Sequence, residues 1–488
     1  MFYLANLQKI ANFTTMKQPV KDLADILSLL HEDMQLLRET VQSQHAEICS
    51  LNRNIEKLRK ENKELKQRLA KHEDSNKNSS NSSTPPSKES LKDEIVRRTS
   101  SLRKKSGKSV GGQPGHKGVV RDLVENPDEI IDEQASFCKE CGESLEDAQK
   151  VLDYTTQIVS LPDIKPLIRE IRHYVMVCPK CGKRVRSYER KRGGNPVVFD
   201  ASVRTMVVYL NIVQCIPFER LQSMMKTLFG IEMSQGTIAN ILKEAGKKAQ
   251  PAIELIKKYI SRSSIVGFDE SGCFCNKRLD WSWIAQTVYY TLVFRADGRR
   301  AAILENMFGD SLKNMVAVTD RHSAYFAINF LSHQVCLAHL LREIQYLNEI
   351  DKNQKWSKEL ENLLQEAIHY RNEHPTEVVD TKSWLDRLDS ILQQNVEHLK
   401  KGFGTLKNGL IKCRDYIFKF LENPAVPSHN NDSERGIRKI KIKQKISGCF
   451  RSDEGADAFM ALHSVVDTAW KNNQSKYDAL LAILKWQA

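Results

Sequence analysis

The sequence predicts a multidomain protein of the α+β class. Three observations indicate this. The chain has 488 residues, more than one hydrophobic core usually serves. An N-terminal stretch repeats apolar residues with a seven-residue period, and short β-branched and aromatic runs begin near residue 263 between helical stretches. We therefore predict an N-terminal helix or coiled coil (1–72), a flexible basic linker (73–118), a zinc ribbon (119–190), a helical segment (195–258), and a strand-rich domain (259–351 and 427–488) with a helical insertion (352–426).

Composition limits the class of protein before any motif is considered. Hydrophobic residues make up 41% of the chain, enough for a folded core, and the formal net charge of +13 favours a polyanionic partner. No apolar run approaches the length of a membrane span, and the first residues do not resemble a secretory signal. The eleven cysteines are an odd number, and four of them form two Cys-x-x-Cys pairs. We therefore expect a cytoplasmic protein with a metal site rather than disulfides.

The N-terminal heptad pattern predicts a coiled coil. Its d and a positions alternate strictly in steps of three and four residues. They are Leu23, Leu27, Leu30, Met34, Leu37, Val41, Gln44, Ile48, Leu51, Ile55, Leu58, Asn62, Leu65 and Leu69. Asn62 at an a position would favour one register and one oligomer number. We expect self-association through this segment, and the alternative is an amphipathic helix packed on its own chain.

A polar linker follows the heptads. Residues 75–87 are rich in Ser and Asn and are broken by prolines, which is typical of a flexible linker. Residues 88–117 contain nine Lys or Arg and three acids. Such an arm would gain affinity for nucleic acid by releasing counterions, and a solvated tether is an equally good interpretation.

Two cysteine pairs predict a zinc ribbon. Cys138 and Cys141 form the first pair, Cys178 and Cys181 form the second, and 36 residues separate them. A glycine follows each pair, which permits the tight turn that points two sulfurs at one ion. Four thiolates suit a closed, tetrahedral, structural Zn²⁺ site. Four unrelated reduced thiols are the alternative.

The segment 195–258 has a helix-turn-helix pattern. One helix is predicted over 217–230 and a second over 233–242, with Ser234 as its N-cap. Plain helical packing fits this pattern nearly as well as DNA contact.

Three acidic residues occupy distinct settings in the strand-rich domain. Asp269 ends the apolar run 265–268, Asp320 ends the run 315–319, and Glu434 lies at the start of a predicted cationic helix. Further strands are predicted over 281–285, 289–294 and 334–337. Carboxylates are the ligands that hard divalent cations prefer, so these three could hold two Mg²⁺ or Mn²⁺ ions, with Asp269 bridging both.

Each of these assignments has an alternative. A single acid is more often a surface carboxylate or a helix cap, and the adjacent Glu270 and Asp432 are rivals that spacing does not exclude. Cys336 and His339 are also metal-binding residue types, but we expect them in the core or supporting the site. Five Lys or Arg side chains on or near the Glu434 helix could contact DNA phosphates, or form a solvated helix face. They are Arg435, Arg438, Lys439, Lys441 and Lys443.

The order of these motifs resembles the insertion-sequence 66 family of transposases, a member of the larger DDE class. The resemblance is nearly full length. Besides the heptads and cysteine pairs, it rests on motifs at 81–87, 111–118, 269–271, 319–325, 336–339, 430–435 and 448–452. It implies a ribonuclease-H-like catalytic domain with a helical insertion before the last acid, and a catalytic triad of Asp269, Asp320 and Glu434.

The resemblance also implies a function. We expect a prokaryotic, nucleoid-associated transposase that binds the double-stranded DNA ends of a mobile element, cleaves a strand with water and joins the freed 3′-hydroxyl to target DNA. Mg²⁺ or Mn²⁺ would serve the triad, and accessory transposition proteins would take part. The alternatives are a DNA-binding regulator without catalysis, or a decayed transposase, and a metal-dependent nuclease that cuts without joining.

Overall fold

The computed structural model describes residues 23–74, 115–118, 121–186 and 197–486. The chain divides into two compact units, residues 1–77 and 78–488. The polar linker at 75–87 and all of the predicted basic arm except residues 115–117 lie outside the described residues.

The first unit contains one long helix, α1 (Leu23–Asp74). This confirms that the heptad segment is helical. Seven of its a and d side chains, from Met34 to Leu58, are between 46% and 65% exposed within the single chain. The coiled coil itself stays a prediction.

In the second unit, the described residues 121–186 contain little regular structure. Strand β1 (Val175–Val177) pairs with β2 (Arg184–Arg186) in an antiparallel ladder. Most side chains between 121 and 186 are exposed.

Four helices follow: α2 (Ala201–Ile212), α3 (Phe218–Phe229), α4 (Gln235–Lys248) and α5 (Gln250–Ser261). Both predicted helices of the helix-turn-helix pattern are confirmed as helices. The Ser234 hydroxyl accepts a hydrogen bond of 3.1 Å from the Thr237 amide, so it is the N-cap of α4. Gly230 ends α3 with φ +63°, a conformation that glycine adopts without a Cβ penalty.

A mixed five-stranded sheet forms the centre of the second unit. Its strands are β3 (Ile265–Cys275), β4 (Arg278–Gln286), β5 (Thr291–Ala296), β6 (Val316–Thr319) and β7 (Ser332–Val335), in the order β5-β4-β3-β6-β7. Strands β3 to β5 are antiparallel neighbours, whereas β6 runs parallel to β3 and β7 runs parallel to β6.

The structure confirms all five predicted strands but moves several of their boundaries. Asp269 does not end its strand, because β3 continues to Cys275 in a hairpin with β4. The last strand ends at Val335, and Leu337 already belongs to the next helix.

The remaining helices are α6 (Ala301–Phe308), α7 (Ser323–Phe326), α8 (Leu337–Ile350), α9 (Trp356–Glu373), α10 (Lys382–Gln393), α11 (Lys401–Lys412), α12 (Lys419–Glu422), α13 (Asn431–Ser447), α14 (Asp453–Lys471) and α15 (Lys476–Lys485). Residues 352–422 contain helices and no strand, as predicted for the insertion. Among the described residues, no helix has the length and apolar character needed to cross a lipid bilayer.

The sheet lies between two apolar layers. On one side Phe268 and Trp283 pack with Leu304 of α6 and Tyr325 of α7. On the other side Ile284 packs with Ile437 of α13. Helices α8 to α12 form a third core with Val316 and Val318 of β6. The carboxyl end of β6 therefore lies where these helical layers meet.

Candidate active site

Asp269 and Asp320 lie side by side on neighbouring parallel strands. Gly267 of β3 is opposite Val318 of β6, so the same register places Asp269 opposite Asp320, one residue beyond the end of β6. Alternate residues of a strand share a face, so both carboxylates emerge on the face that Gly267 occupies. The Asp320 carboxylate accepts a hydrogen bond of 2.9 Å from the His322 amide, which orients it.

The start of α13 is hydrogen-bonded to β3 on this face of the sheet. The side-chain amide of Asn430, the residue before α13, donates a hydrogen bond of 2.6 Å to the Phe268 carbonyl oxygen. Ser433 donates to the Asn430 side-chain oxygen at 2.6 Å. A Cβ at Gly267 would lie only 2.6 Å from that oxygen and 2.7 Å from the Ser433 hydroxyl. A glycine at position 267 is therefore what allows the helix to approach the strand.

This anchor places Glu434 in the first turn of α13, above the strand that carries Asp269. Its carboxylate accepts hydrogen bonds of 3.1 Å from Arg342 of α8, and it lies 3.3 Å from His339 Nε2. Arg438, one turn later in α13, is 3.8 Å away. Only 14% of the Glu434 side chain is exposed, so this carboxylate is held by partners and is not a free surface group.

The electrostatics of Asp269 show crowding of negative charge. Burial, together with the charges of Glu270, Asp320 and Glu434, raises the pKa of Asp269 to about 7, although His339 acts in the opposite direction. Within residues 121–186 and 197–486, no Lys, Arg or His forms a salt bridge with Asp269 or Asp320. Two adjacent carboxylates that form no salt bridge with a protein cation are a donor set that suits a hard divalent ion.

The two rival acids have structural partners instead. Glu270 points to the opposite face of β3, where its buried carboxylate pairs with Arg299 and accepts a hydrogen bond from the Tyr325 hydroxyl. Asp432 is 63% exposed and pairs with Arg435. The geometry therefore favours Asp269 and Glu434 over their neighbours.

In the described ranges, two groups of three potential metal ligands have their ligand atoms all within 4.8 Å of one another. Asp269, Asp320 and Glu434 do not form one of these groups, so their carboxylates are farther apart. A site for two ions does not require all three carboxylates to be that close. Ions about 4 Å apart, each about 2.1 Å from its ligands, separate outer ligand atoms by up to roughly 8 Å.

The five cations predicted to contact DNA do not share one environment. Arg435 and Arg438 are well exposed, 68% and 65%. Lys441 is partly buried, and burial lowers its pKa while Asp269 and Glu434 oppose that change. Lys439 donates to the Val213 carbonyl oxygen on α2's C-terminal side. The structure differs most from the prediction at Lys443, which is buried against the rings of Phe218 and Phe459.

A cavity of about 550 Å³ opens beside Asp320. Its walls include His322, which follows β6, His339 of α8, and Lys412 of α11 in the insertion. Arg321 also lines it and pairs with Glu343 of α8. The insertion therefore forms part of the surroundings of the acidic site.

Sequence reasoning missed Arg342, the closest cationic partner of Glu434. It lies three residues after His339, so both face the same side of α8. That spacing was available in the sequence, but nothing local indicated that Glu434, 92 residues away, would be its partner.

The two cysteine pairs form well-ordered turns. Gly142 and Gly182, with φ +78° and +67°, donate backbone hydrogen bonds of 2.9 and 2.8 Å to the Cys138 and Cys178 carbonyl oxygens. Backbone amides, chiefly those of Cys141 and Cys181, lower the pKa values of the Cys138 and Cys178 thiols. The four sulfurs are not gathered into one group within 4.8 Å, as judged over the described ranges.

Comparison with known proteins gives two family matches. A sequence model described as the transposase IS66 family matches residues 196–458, more than half of the chain. A family of unknown function (DUF6444) matches residues 35–122. No curated protein matches the chain closely enough to be compared. The first match spans all of the sheet, the insertion and all three acids of the site, and the chain therefore belongs to the IS66 family of transposases.

Proposed function

We propose that the protein is a DNA transposase that binds the ends of a mobile element, cleaves a strand there and transfers it to target DNA. The observation that carries this proposal is that Asp269, Asp320 and Glu434 lie on the same face of the sheet, near enough for the charges of Asp320 and Glu434 to raise the pKa of Asp269. Two come from neighbouring strands and one from a helix that Asn430 fastens to the first strand. Membership of the family supports DNA as the substrate.

The three carboxylates would hold the divalent cations. When bound, a pair of such ions would activate the attacking oxygen and stabilise the departing one. The chain's own residues set the geometry around them: His322 orients Asp320, while Arg342 and His339 fix the position of Glu434. To bind an ion, the Glu434 carboxylate must break at least one of its hydrogen bonds with Arg342. Arg342 is then free to contact a phosphate.

The same arrangement supports a ribonuclease-H-like fold with a DDE triad. Asp269 lies on the central strand β3, Asp320 follows the adjacent parallel strand β6, and the helical insertion separates both from Glu434. This is the order of parts that the family resemblance implies.

DNA contact is proposed for the exposed cations near the site. Arg435 and Arg438 are accessible, and Lys412 of the insertion faces the cavity beside Asp320. Contacts of this kind neutralise phosphates and position the duplex without reading its sequence. Lys443 is left out of this set because it is buried.

Two accompanying sites are also proposed. The four cysteines of the two Cys-x-x-Cys pairs would hold a structural Zn²⁺. The lowered thiol pKa values of Cys138 and Cys178 support this site. The exposed a and d side chains of α1 would be covered by a second copy of the chain, which would bring two element ends together.

Self-association has a matched test within α1. Leu36 and Leu37 are both 65% exposed, but only Leu37 occupies a d position. Leu37→Asp should shift the protein to monomer in sedimentation experiments, whereas Leu36→Asp should not. Equal behaviour of the two variants would remove the heptad face as the interface.

The central test is an assay with purified protein, DNA that carries the element's ends, and Mn²⁺. We expect nicked and strand-transfer products from the wild type. Glu434→Gln should lose both, and Asp432→Asn, an acid in the same helical turn, should keep them.

The other outcomes identify the alternatives. Binding without products in wild type and Asp269→Ala alike would indicate a DNA-binding regulator. Cleavage without joined products would indicate a nuclease.

A further inference from the structure

Cys336, His339 and Glu434 form a compact cluster beside the proposed catalytic carboxylates. One ligand atom from each, a sulfur, an imidazole nitrogen and a carboxylate oxygen, lies within 4.8 Å of the other two. Cys336 precedes α8, His339 lies in its first turn, and Glu434 arrives from α13. Three separate positions of the fold therefore converge on one point.

The backbone fixes this cluster from both sides. The Cys336 amide donates a hydrogen bond of 2.8 Å to the Thr319 carbonyl oxygen, next to Asp320. The Cys336 sulfur accepts a hydrogen bond of 3.1 Å from the Asn430 amide, at the start of α13. The sulfur is thus held in place by the same junction that positions Glu434.

The donor atoms differ in kind from those of the acidic site. Mg²⁺ prefers oxygen ligands, whereas a thiolate and an imidazole select Zn²⁺ and related transition metals. Tetrahedral Zn²⁺ ligands lie about 3.4–3.6 Å apart. His339 Nε2 and the Glu434 carboxylate are already 3.3 Å apart. His339 Nδ1 is buried and has no hydrogen-bond partner among the described residues.

The other such group in the described ranges has a sulfur and two carboxylates but no imidazole. It consists of Cys275, Asp280 and Asp453. There Asp280 forms ion pairs of 2.7 Å with Arg278 and 2.6 Å with Arg295, and both arginines also approach Asp453. Two guanidinium groups thus neutralise both carboxylates, and the group is a salt-bridge network between β4, β5 and α14.

We propose that Cys336, His339 and Glu434 form a second metal site, selective for Zn²⁺-like ions, whose occupation inhibits the enzyme. The inhibitory part rests on the proposed function of Glu434. A Zn²⁺ ion held by these three ligands, with its fourth position open, takes Glu434 away from Asp269 and Asp320. The protein then lacks the third carboxylate for its catalytic ions.

Arg342 is the competitor for this site. It contacts both oxygens of Glu434 at 3.1 Å and carries a permanent positive charge. An ion bound to Glu434 must displace at least one of these contacts. Replacing Arg342 with glutamine should therefore strengthen Zn²⁺ binding at the cluster.

The experiment measures metal binding without DNA. Co²⁺ serves as a spectroscopic substitute for Zn²⁺, because Co²⁺–thiolate bonds give a charge-transfer absorption. Full-length wild type, Cys336→Ser and His339→Gln are titrated with Co²⁺ in excess Mg²⁺, and bound Zn²⁺ is counted by elemental analysis. Cys215→Ser, a buried cysteine outside the cluster, is the control.

We expect wild type and Cys215→Ser to bind one metal equivalent more than Cys336→Ser and His339→Gln. The affinity lost should exceed the roughly 10- to 100-fold that loss of an outer partner costs. Arg342→Gln should bind this equivalent more tightly than wild type. Metal bound by the two Cys-x-x-Cys pairs is the same in every protein compared, so it does not affect the difference.

Equal metal counts in all variants, or displacement of the extra equivalent by Mg²⁺, would overturn the proposal. If Cys336→Ser fails to fold, His339→Gln and Arg342→Gln give the decision on their own. Failure of the transposase assay would leave these binding results unchanged, so the two proposals fail separately. In the active wild type, Zn²⁺ should suppress cleavage even when Mg²⁺ is in excess.

Discussion

Asn430 donates a 2.6 Å hydrogen bond from its side-chain amide to the carbonyl oxygen of Phe268, the residue before Asp269. The two residues are 162 positions apart in the chain. This bond joins the helix of Glu434 to the strand of Asp269. The relative position of the first and third carboxylates therefore depends on this buried contact.

Gly267→Ala should separate α13 from β3. The added methyl would meet the Asn430 and Ser433 oxygens at 2.6 and 2.7 Å, and such overpacking costs about 1–3 kcal/mol. We expect a lower melting temperature and reduced cleavage at saturating Mn²⁺. Gly298→Ala, whose nearest atom would be Arg300 Nε at 3.7 Å, is the control and should leave both unchanged. Wild-type activity in Gly267→Ala would show that this contact does not set the site.

Asp320→Asn should abolish cleavage while binding of element ends survives. Loss of a ligand to the catalytic ions removes several kcal/mol of transition-state stabilisation, roughly a 1000-fold loss of rate. Asp297→Asn, an exposed acid beyond β5, is the matched control and should retain full activity. Cleavage by Asp320→Asn at a rate near that of wild type would exclude Asp320 from the site.

Glu270→Gln should damage stability rather than chemistry. The change removes the buried negative charge of Glu270, which pairs with Arg299 and accepts a hydrogen bond from the Tyr325 hydroxyl. We expect a cost of about 1–3 kcal/mol in unfolding free energy. We expect a lower unfolding midpoint in urea, with cleavage per folded molecule close to that of wild type. A stable but inactive Glu270→Gln protein would place this carboxylate in the chemistry instead of Asp269.

His333 should make the fold sensitive to acid. It is buried among aromatic rings beside Thr319, and burial lowers its pKa from 6.5 to about 4. The unfolded chain binds the proton more tightly, so stability present above pH 6.5 is lost as the pH falls towards 4. One pH unit in this interval is worth about 1.4 kcal/mol, which gives a loss on the order of 3 kcal/mol.

His333→Gln cannot take up this proton, so its unfolding free energy should depend less on pH between 6.5 and 4. Urea titrations at several pH values measure this. His369→Gln, at a histidine that is 71% exposed on α9, should retain the wild-type dependence. Parallel curves for wild type and His333→Gln would contradict the prediction.

Removal of the proposed structural zinc should loosen the segment 121–186. This segment has few buried side chains, so a Zn²⁺ bound to its four cysteines would supply much of its order. Chelation should increase amide hydrogen exchange there and leave the sheet protected. Elemental analysis that finds no zinc in the native protein, with unchanged exchange on chelation, would exclude the ribbon.

Much of the fold followed from local patterns, while the assembly of the site did not. Apolar, β-branched runs predicted β3 and β6, because such runs are local signals. The acids were correctly placed beside these runs, but Asp269 lies within β3 rather than at its end. The position of Glu434 depends on Gly267 and Asn430, far apart in sequence. The burial of Lys443 against Phe218 is similarly a tertiary contact that no local pattern encodes.

The most direct test of the account is diffraction from crystals of the protein grown with Mn²⁺ and end-bearing DNA, recorded at the manganese absorption edge. We predict anomalous peaks between the carboxylates of Asp269, Asp320 and Glu434, each within about 2.2 Å of a carboxylate oxygen. Peaks elsewhere, with these three acids bound to no metal beside the cleaved strand, would contradict it.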